Sequence, residues 1–437
     1  MGTDVSPDGR GSHAHSFGPK SERGTTPPLH LVLVVTLWSR RGSRAVSEAA
    51  STVGAMRILH TSDWHLGRSF HREDLLDAQA AFVDHLVDTV RADRVDAVVV
   101  AGDVYDRALP PVDAVQLASE ALRRLAAEDV RVVVTSGNHD SAHRLGFAAE
   151  LIDAAGIHLR TTPASVGRPV LLPDAHGTVA FYGLPYLEPD AVREPWELPE
   201  RSHAAALGEA MRRVRADVAD RGPTRSVVLA HAFVTGGQAS ESERDISVGG
   251  VSQVSADLFD GADYVALGHL HGRQTIRPHV RYSGSPLAYS FSEAGHRKGS
   301  WLVELDSGGV STTEFVEAPV PRRVATVRGR LESLLQDPRH AGLEDCWLKV
   351  VLTDPVRPAE AMVRLRDRFP HALVLGFEPD AGAERPERSW TERVAGLSDI
   401  EVAAGFVADV RGQAADEPET RLLQEAIDCC RVGEDAA

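Results

Sequence analysis

From residue 56 onward, short apolar runs alternate with stretches whose apolar residues recur at helical spacing. Three runs have the nearly continuous apolar character of buried strands: "MRILHT" (56–61), "VDAVVVAGD" (95–103) and "VRVVVTSGNHD" (130–140). Between the first two, a helix is predicted by apolar residues that share one face: Leu75, Phe82, Leu86 and Val90. After the second, residues 110–128 predict another helix, which two prolines open. This alternation predicts an α/β layered domain over residues 56–318.

The alternation continues along the rest of this domain. Further helices are predicted over 141–156, around 201–220 and, briefly, after Val251. Further strands are predicted at "TVAFYG" (178–183), "RSVVLAHA" (225–232) and "ADYVALGH" (262–269), and strand-like pieces follow from 274 to 317. No internal repeat is visible.

Two smaller units are predicted after a boundary at "EAPVPRR" (317–323). Residues 322–379 read as strand, helix, strand, helix, strand, which predicts a small α+β domain. A polar linker over 380–395 leads to a helical tail, residues 396–437. The tail contains two amphipathic helices, at "DIEVAAGFVADVRG" (399–412) and "ETRLLQEAIDCC" (419–430). Their apolar stripes need a partner to pack against.

The first 55 residues form a different kind of segment. They are polar and rich in Gly, Ser and Pro, which predicts a disordered N-terminal extension. The apolar stretch at 29–38 is about half the length that a bilayer needs, and its arginines follow it, which is the wrong layout for a secretory signal. We therefore expect no membrane segment. Met56 is a credible start of translation.

Composition narrows the class of protein further. The 437 residues leave room for two or three domains, and the formal charge of −16 excludes a surface that is basic throughout. Any polyanionic partner must therefore be bound locally, by a basic patch, a metal site or another subunit. The three cysteines, Cys346, Cys429 and Cys430, form no CxxC pattern and no disulfide framework. This predicts that the protein is located in a reducing cytoplasm.

Polar residues with metal-binding side chains follow the predicted strands. They are Asp63 and His65 in "SDWH", Asp103 in "AGDVYD", Asn138 and His139 in "SGNHD", His231 in "LAHA", and His269 and His271 in "GHLH". Ligands bind at the carboxyl ends of strands in open α/β sheets. Each motif alone is common by chance, but the five together, each ending an apolar run, predict one site.

The mixture of oxygen and imidazole ligands suits two divalent cations, which together promote phosphoryl displacement. One carboxylate must bridge the two cations, and we predict that it is Asp103. We predict that His139 lies outside the metal shell, where it protonates the leaving oxygen or stabilises the equatorial oxygens of the phosphate, with Asp106 orienting its other ring nitrogen.

The order D-x-H, G-D-x-x-D, G-N-H-D, H, G-H-x-H resembles the calcineurin-like metallophosphoesterase superfamily. Within it, the chain is similar to the SbcD family, the nuclease subunits of bacterial SbcCD complexes. The similarity extends from Met56 to Pro379 and includes "HTSDWHLGRSF", "ALGHLHGRQ" and "YSGSPLAYSFSEAGHRKG". It implies a two-sheet β-sandwich flanked by helices in four layers. The small domain over 322–379 then corresponds to the family's DNA-capping domain, and the tail over 396–437 to its partner-binding helices.

The resemblance also implies roles for individual residues. It assigns Asp63, His65, Asp103 and His271 to one metal, and Asp103, Asn138, His231 and His269 to the other. His139 matches the catalytic histidine of the family. Asp106 stands where archaeal and eukaryotic relatives have a histidine. The implied cofactors are two divalent ions, Mn²⁺ with Mg²⁺ as the alternative.

The implied function is a metal-dependent DNA exonuclease and hairpin or single-strand endonuclease of a DNA repair complex. The implied partners are DNA, the SbcC ATPase in a heterotetramer, with the tail docking on its coiled coil, and a second copy of the nuclease domain. Two other readings stay open: a small-molecule phosphodiesterase or phosphomonoesterase, and a non-catalytic scaffold. An open, basic-rimmed groove favours DNA, and a closed pocket favours a small ester.

Overall fold

The computed structural model describes residues 54–247, 253–380 and 394–434, with side chains up to residue 429. The predicted extension up to residue 53 and most of the predicted linker, 381–393, lie outside the described residues. The side chain of Cys430 lies outside them as well.

Two six-stranded sheets form the larger part of the described chain. The first has the strand order Gly309–Glu317, Gly299–Asp306, Met56–Thr61, Ala97–Ala101, Arg131–Thr135, Ile157–Arg160. The second has the order Gln274–Arg277, Val280–Tyr282, Tyr264–Gly268, Arg225–His231, Gly177–Leu184, Val170–Asp174. Neighbouring strands in the middle of each sheet run parallel, so their carboxyl ends lie along one edge. Such an edge is where the polar motifs were predicted to meet.

The two sheets pack face to face. Side chains such as Ile58, Val99, Phe181 and Leu229 fill the space between them and are fully buried. A second apolar layer lies between the first sheet and its helices, Leu76–Ala92, Val112–Ala127, Ala142–Leu145 and Ala149–Asp153. A third lies between the second sheet and the helices Pro189–Arg193 and His203–Arg221. These mixed α/β sheets fit the predicted calcineurin-like fold.

Short elements complete this part of the chain. They are the paired strands Ser69–Phe70 with Glu73–Asp74 and Phe233–Val234 with Gln253–Val254, and the 3-10 turns Pro163–Ser165, Ala256–Phe259 and Phe291–Glu293. The helix predicted over 141–156 is two helices, because Ala148 has a positive φ of 59°. The short helix predicted after Val251 is the 3-10 turn that begins at Ala256.

Residues 324–377 form a separate small sheet, which we call the cap. Its strands, Val324–Gly329, Trp347–Leu352 and Ala372–Phe377, are all parallel. The helices Leu331–Gln336 and Ala361–Arg368 and the 3-10 helix Pro338–Leu343 connect them. The unit was predicted as α+β, but each helical crossover returns the chain to the same end of the sheet, so it is an α/β unit.

The cap contacts the larger part of the chain through aromatic rings. Trp347 lies with its ring centroid 5.3 Å from that of Phe70, which in turn lies 4.9 Å from Phe291. Tyr289 belongs to the same apolar group, and its ring lies 5.3 Å from the imidazole of His65. The cap is therefore packed against the side chains that support the predicted metal site.

The tail contains two helices, Asp399–Arg411 and Glu417–Glu434, close to the two predicted. The first has a capping box between Ser398 and Glu401, and no residue of it is buried. Arg411 and Glu419 form an ion pair between the two helices. Among the residues that the structure describes, no helix is both long and apolar enough to cross a bilayer.

The hydroxyl of Tyr282 allows a test of how the second sheet holds the segment after the strand Arg225–His231. It accepts a hydrogen bond from the Val234 N–H (2.8 Å) and donates one to the Ala232 carbonyl (2.7 Å), in a fully buried position beyond the end of the His231 strand. The substitution Tyr282→Phe leaves both backbone groups unpaired and should lower the free energy of unfolding by about 1–3 kcal/mol. Urea denaturation in EDTA measures it. Tyr186→Phe, whose hydroxyl bonds only at the surface, should change stability by less than about 0.5 kcal/mol.

Candidate metal centre

The predicted ligands come together where strands of both sheets end. Asp63 and His65 follow the strand Met56–Thr61, Asp103 follows Ala97–Ala101, and His269 follows Tyr264–Gly268. Two backbone hydrogen bonds join the first two loops, from Asp63 N–H to the Gly102 carbonyl and from His65 N–H to the Asp103 carbonyl, each 3.0 Å. The loops therefore form one rigid edge that presents side chains from separate strands.

Several of these loop residues have backbones in the left-handed region. The φ angles are 54° at Asp63, 46° at His65, 50° at Asp103 and 102° at His269. A non-glycine residue in such a conformation costs on the order of 1–3 kcal/mol, and such residues concentrate at functional sites. The surrounding hydrogen bonds hold these backbones in place, which favours a role in ligand binding over a role in folding stability.

One set of ligand atoms, which we call the first ligand group, contains Asp63, His65, Asp103 and His271. All four side chains are buried. His65 Nε2 lies 3.6 Å from Asp103 Oδ2 and 3.1 Å from His271 Nε2. Ligand atoms of Asp63, His65 and His271 lie within 4.8 Å of one another. These are the four residues that the resemblance assigns to one metal.

The second ligand group contains Asp103, Asn138, His231 and His269. His231 Nε2 lies 3.4 Å from Asp103 Oδ2 and 2.9 Å from Asn138 Oδ1. His269 Nδ1 lies 3.2 Å from the same Asn138 oxygen. Asp103 Oδ2 thus contacts a histidine of each group, so its carboxylate has the position that a bridging ligand requires.

Hydrogen bonds on the outer sides of the histidines determine which nitrogen faces the centre. His231 Nδ1 donates to the Ala101 carbonyl at 2.9 Å, and a carbonyl can only accept. The His231 Nε2 lone pair is therefore free to bind a cation. His271 Nδ1 contacts Ser242 Oγ at 2.6 Å, and that hydroxyl donates to Glu293, which assigns the Nε2 lone pair of His271 in the same way.

The charges of the two groups favour cations. Burial raises the pKa of Asp63 to about 6. Burial acts in the same direction on Asp103, but the imidazole of His231 outweighs it and holds the pKa of Asp103 well below its usual range. Burial lowers the pKa of His231, yet the Asp103 carboxylate raises it, to about 9. Positive charge is therefore strongly favoured between these side chains.

The neutral ligands are consistent with this requirement. Burial lowers the pKa of His65 well below its usual value and that of His269 to about 3, so both imidazoles are neutral ligands at neutral pH. The amide nitrogen of Asn138 is buried and has no hydrogen-bond partner among the described residues. A set of two carboxylates, four imidazoles and one amide oxygen fits a dinuclear site for divalent cations such as Mn²⁺, Fe²⁺ or Zn²⁺.

His139 is attached directly to this centre. Its backbone N–H donates to Asp103 Oδ1 at 2.8 Å, and its ring lies 4.6 Å from the ring of His65, between centroids. Burial lowers the pKa of His139. Its Nδ1 donates to Asp106 at 2.7 Å, and the acceptor is the backbone carbonyl of Asp106 and not its side chain. The Asp106 carboxylate instead lies 3.7 Å from His65 Nδ1.

Two glycines are required by this packing. Gly102 has a φ of 86°, and a Cβ there would collide with the imidazole of His231. A Cβ on Gly137 would collide with the carboxylate of Asp103. Only a residue without a side chain lets these two loops approach the ligands so closely.

Several supporting residues were not assigned a role from the sequence. The buried Asp140 accepts hydrogen bonds from the backbone N–H groups of Val104, Tyr105 and Gly137, and so joins the Asp103 and Asn138 loops. Burial raises the pKa of Asp140 to about 7. Glu293 and Lys298 form a buried ion pair behind His271. Asp140 lies in "SGNHD", and Glu293 and Lys298 lie in "YSGSPLAYSFSEAGHRKG", so their membership of these motifs was the sequence signal that could have identified them.

Tyr289, Arg322 and Arg328 have partners outside the two ligand groups. Tyr289 is buried and donates to the Trp64 carbonyl. The basic run 322–330 lies in and beside the first strand of the cap, where Arg328 pairs with Glu378 and Arg322 with Asp345. Arg322 and Arg328 therefore each have an acidic partner in or beside the cap.

The shared position of Asp103 predicts an asymmetric effect of substitutions on metal content. Asp103→Ala should abolish retention of both cations, because the second group loses its only carboxylate and the first group loses one of its two. His269→Ala should leave about one ion per chain, since the first group is intact. Mass spectrometry of metal in protein dialysed against Mn²⁺ measures this, with His143→Ala as the surface control. Equal loss in both variants would contradict a bridging Asp103.

Comparisons with known proteins agree with this geometry. Residues 56–273 match the family model described as calcineurin-like phosphoesterase. Residues 320–411 match the model described as type 5 capsule protein repressor C-terminal domain, SbcD_C. Among solved structures, the chain is similar to TT1561 of Thermus thermophilus, with 14% identity and a TM-score of 0.36, over 60% of this chain and 99% of that chain.

It is also similar to a dimetal phosphatase from Danio rerio, with 13% identity and a TM-score of 0.36, over 61% of this chain and 99% of that chain. Both structures are too distant to characterise this chain, so the assignment rests on the family models. The two family matches and the buried ligand groups support a metal-dependent phosphoesterase in which a calcineurin-like metallophosphoesterase domain is followed by a domain of the SbcD_C family.

Proposed function

We propose that the protein is a two-metal DNA nuclease, similar to the SbcD subunits of SbcCD-type DNA repair complexes, with Mn²⁺ as the working ion. The observation that carries the proposal is the position of Asp103. Its carboxylate contacts both ligand groups and also accepts from the backbone of His139. A phosphoesterase needs these three components side by side, and an SbcD_C domain follows them in the chain.

A pair of divalent cations, when bound, supplies Lewis-acid polarisation of the phosphate and makes water a nucleophile at neutral pH. The protein's own contribution is to fix the ligands and to place His139 beside them. The Asp106 carbonyl holds the proton on His139 Nδ1, so Nε2 is the atom that exchanges a proton with substrate. Burial lowers the pKa of His139, and an arriving phosphodiester anion favours its protonated form again. Protonated His139 then assists departure of the leaving oxygen.

Arginines beside the ligand groups support an anionic polymer as substrate. Two of them are exposed: Arg107, which lies 3.8 Å from the Asp106 carboxylate, and Arg244, which donates to the Asn138 carbonyl at 3.3 Å. Phosphate contacts of this kind dominate binding of nucleic acids.

A cleft beside His271 extends this basic region. It has a volume of about 470 Å³ and its lining includes Arg273, His296 and Arg297 but no acidic residue. Gly272, which follows His271, forms part of its wall. We propose that a DNA strand passes from the ligand groups into this cleft. A small ester needs no such extension.

The tail supports a protein partner. Its first helix has no buried residue, and apolar side chains such as Val410 and Leu422 are more than half exposed. An amphipathic helix pair with so little core of its own is stabilised by docking. We propose that the tail binds the base of the SbcC coiled coil, and that the complex works in the cytoplasm.

A second apolar surface lies on the helices after Asp103 and Asn138. Val112, Val115, Phe147 and Leu151 are exposed, with Phe147 and Leu151 each at 80% of their accessible area. Val115 and Phe147 line a shared apolar cavity of about 270 Å³. An exposed apolar surface of this kind marks an interaction site. We propose that a second copy of the chain covers it.

Cleavage of a labelled DNA hairpin with Mn²⁺ tests the activity. The wild-type chain should cut the hairpin and Asp103→Ala should not. His139→Gln should be slower by about 10²–10⁴-fold while it keeps the wild-type metal content, because His139 transfers protons and binds no cation. His143→Gln, an exposed histidine four residues along, is the matched control.

An aryl phosphodiester is the comparison substrate in the same assay. Turnover of the aryl ester with intact DNA, both without and with added SbcC, would show that the substrate is a small ester. Loss of metal together with activity in His139→Gln would contradict the assigned division of roles.

Truncation before the tail separates the two proposed interfaces. A chain that ends at residue 394 should not capture SbcC during co-purification, because the docking helices are gone. It should keep the mass of a dimer by light scattering, because the surface around Phe147 is unchanged. Capture of SbcC at the full-length level would contradict the tail assignment, and a monomer mass in both proteins would contradict the dimer surface.

A further inference from the structure

The two histidines of the first ligand group face each other through their Nε2 atoms, at 3.1 Å. Their orientation therefore depends on what holds their outer Nδ1 atoms. For His271 the support is complete: Ser242 Oγ contacts Nδ1 at 2.6 Å and donates to Glu293, which pairs with the buried Lys298. Lys298 also donates to the His271 carbonyl at 2.9 Å. Both the ring and the backbone of His271 are fixed.

The outer nitrogen of His65 has no such support. His65 Nδ1 is buried without a hydrogen-bond partner among the described residues. The carboxylate oxygen Oδ1 of Asp106 lies 3.7 Å away. Since an N–H···O hydrogen bond spans about 2.7–3.2 Å, the contact falls short by less than about 1 Å.

A second buried donor faces the same oxygen. Arg68 Nη1 also lacks a hydrogen-bond partner in the described part of the chain, and it too lies 3.7 Å from Asp106 Oδ1. The rest of the guanidinium is anchored: Nη2 donates to the Ser242 carbonyl at 3.1 Å, and the group lies 4.9 Å from the ring centroid of Tyr289. A buried donor without a partner is unfavourable. One small movement of Asp106 would satisfy two such donors.

We propose that Asp106 is a positioning residue for His65, not a catalytic residue. With a cation in the first ligand group, its carboxylate accepts hydrogen bonds from His65 Nδ1–H and from Arg68. The bond fixes the His65 tautomer that presents the Nε2 lone pair to the cation, and it makes that nitrogen a stronger ligand. The inference rests on the cation site of the proposed function.

Under this assignment, the backbone and the side chain of Asp106 have different roles. The backbone carbonyl of Asp106 holds His139, and its carboxylate serves His65. Substitution of the side chain leaves the carbonyl in place. The consequence should therefore appear in the affinity for one cation, with the His139 contact preserved.

Calorimetric titration of the full-length metal-free chain with Mn²⁺ tests the inference. The wild type should take up two ions per chain. Asp106→Ala should bind one of the two about 10–100-fold more weakly and leave the other unchanged. Asp106→Asn should recover most of the lost affinity, because its amide oxygen still accepts from His65 Nδ1–H. Asp88→Ala, an exposed acid on the neighbouring helix, is the matched control and should not differ from the wild type.

The electron paramagnetic resonance spectrum gives a readout that a loss of stability would not produce. With two equivalents of Mn²⁺ per chain, at a concentration that fills both wild-type sites but not the weakened one, Asp106→Ala should show isolated ions where the wild type shows a coupled pair. Thermal melting in EDTA should be the same for all four proteins. Unchanged affinities in Asp106→Ala, or an equal loss for both ions, would overturn the inference alone. A wild-type chain that binds no Mn²⁺ would overturn the proposed function and this inference with it.

Discussion

The rest of the site depends on two carboxylates, Asp63 and Asp103, buried among four imidazoles. Buried carboxylates are unfavourable unless positive charge lies beside them. Without a cation, a proton takes that position, and the Asp103 carboxylate accordingly raises the pKa of His231 to about 9. The strained backbones of Asp63, His65 and Asp103 bring these ligands together. The fold thus maintains a place for positive charge, and a phosphoesterase uses such a place to bind cations.

Hydrogen bonds extend outward from this centre and fix the orientation of the side chains around it. Asp103 accepts from the His139 backbone, so the residue proposed to transfer protons cannot move independently of the proposed bridge. Ser242 and Glu293 fix His271, and the Ala101 carbonyl fixes His231. Aromatic packing through Phe70, Phe291 and Tyr289 connects the same loops to the cap. The position of the cap is therefore fixed relative to these loops.

Much of this could be predicted from the sequence. The strands of the two sheets are apolar runs with clear ends. Each predicted ligand lies at or just after such an end, so its place in the sequence indicated its place in the fold. The break of the helix predicted over 141–156 was not foreseeable, because it depends on the left-handed backbone of Ala148 and not on a local breaker alone. The parallel order of the cap strands likewise depends on how its helices cross over.

The supporting residues were harder to predict than the ligands. Asp106 is near His139 in the folded chain, but sequence spacing cannot tell its backbone carbonyl from its carboxylate. Glu293 and Lys298 are five residues apart, and only the folded chain shows that they enclose His271 from behind. Such contacts depend on side-chain direction at long sequence separation, which motif spacing does not encode.

The most direct test of the central claim is a crystal structure of the protein soaked in Mn²⁺, with anomalous diffraction recorded near the manganese edge. The account predicts two anomalous peaks about 3.5–4 Å apart, one on either side of the Asp103 carboxylate, with His65 and His271 at one peak and His231 and His269 at the other. A single peak, or two peaks that do not share Asp103, would contradict it.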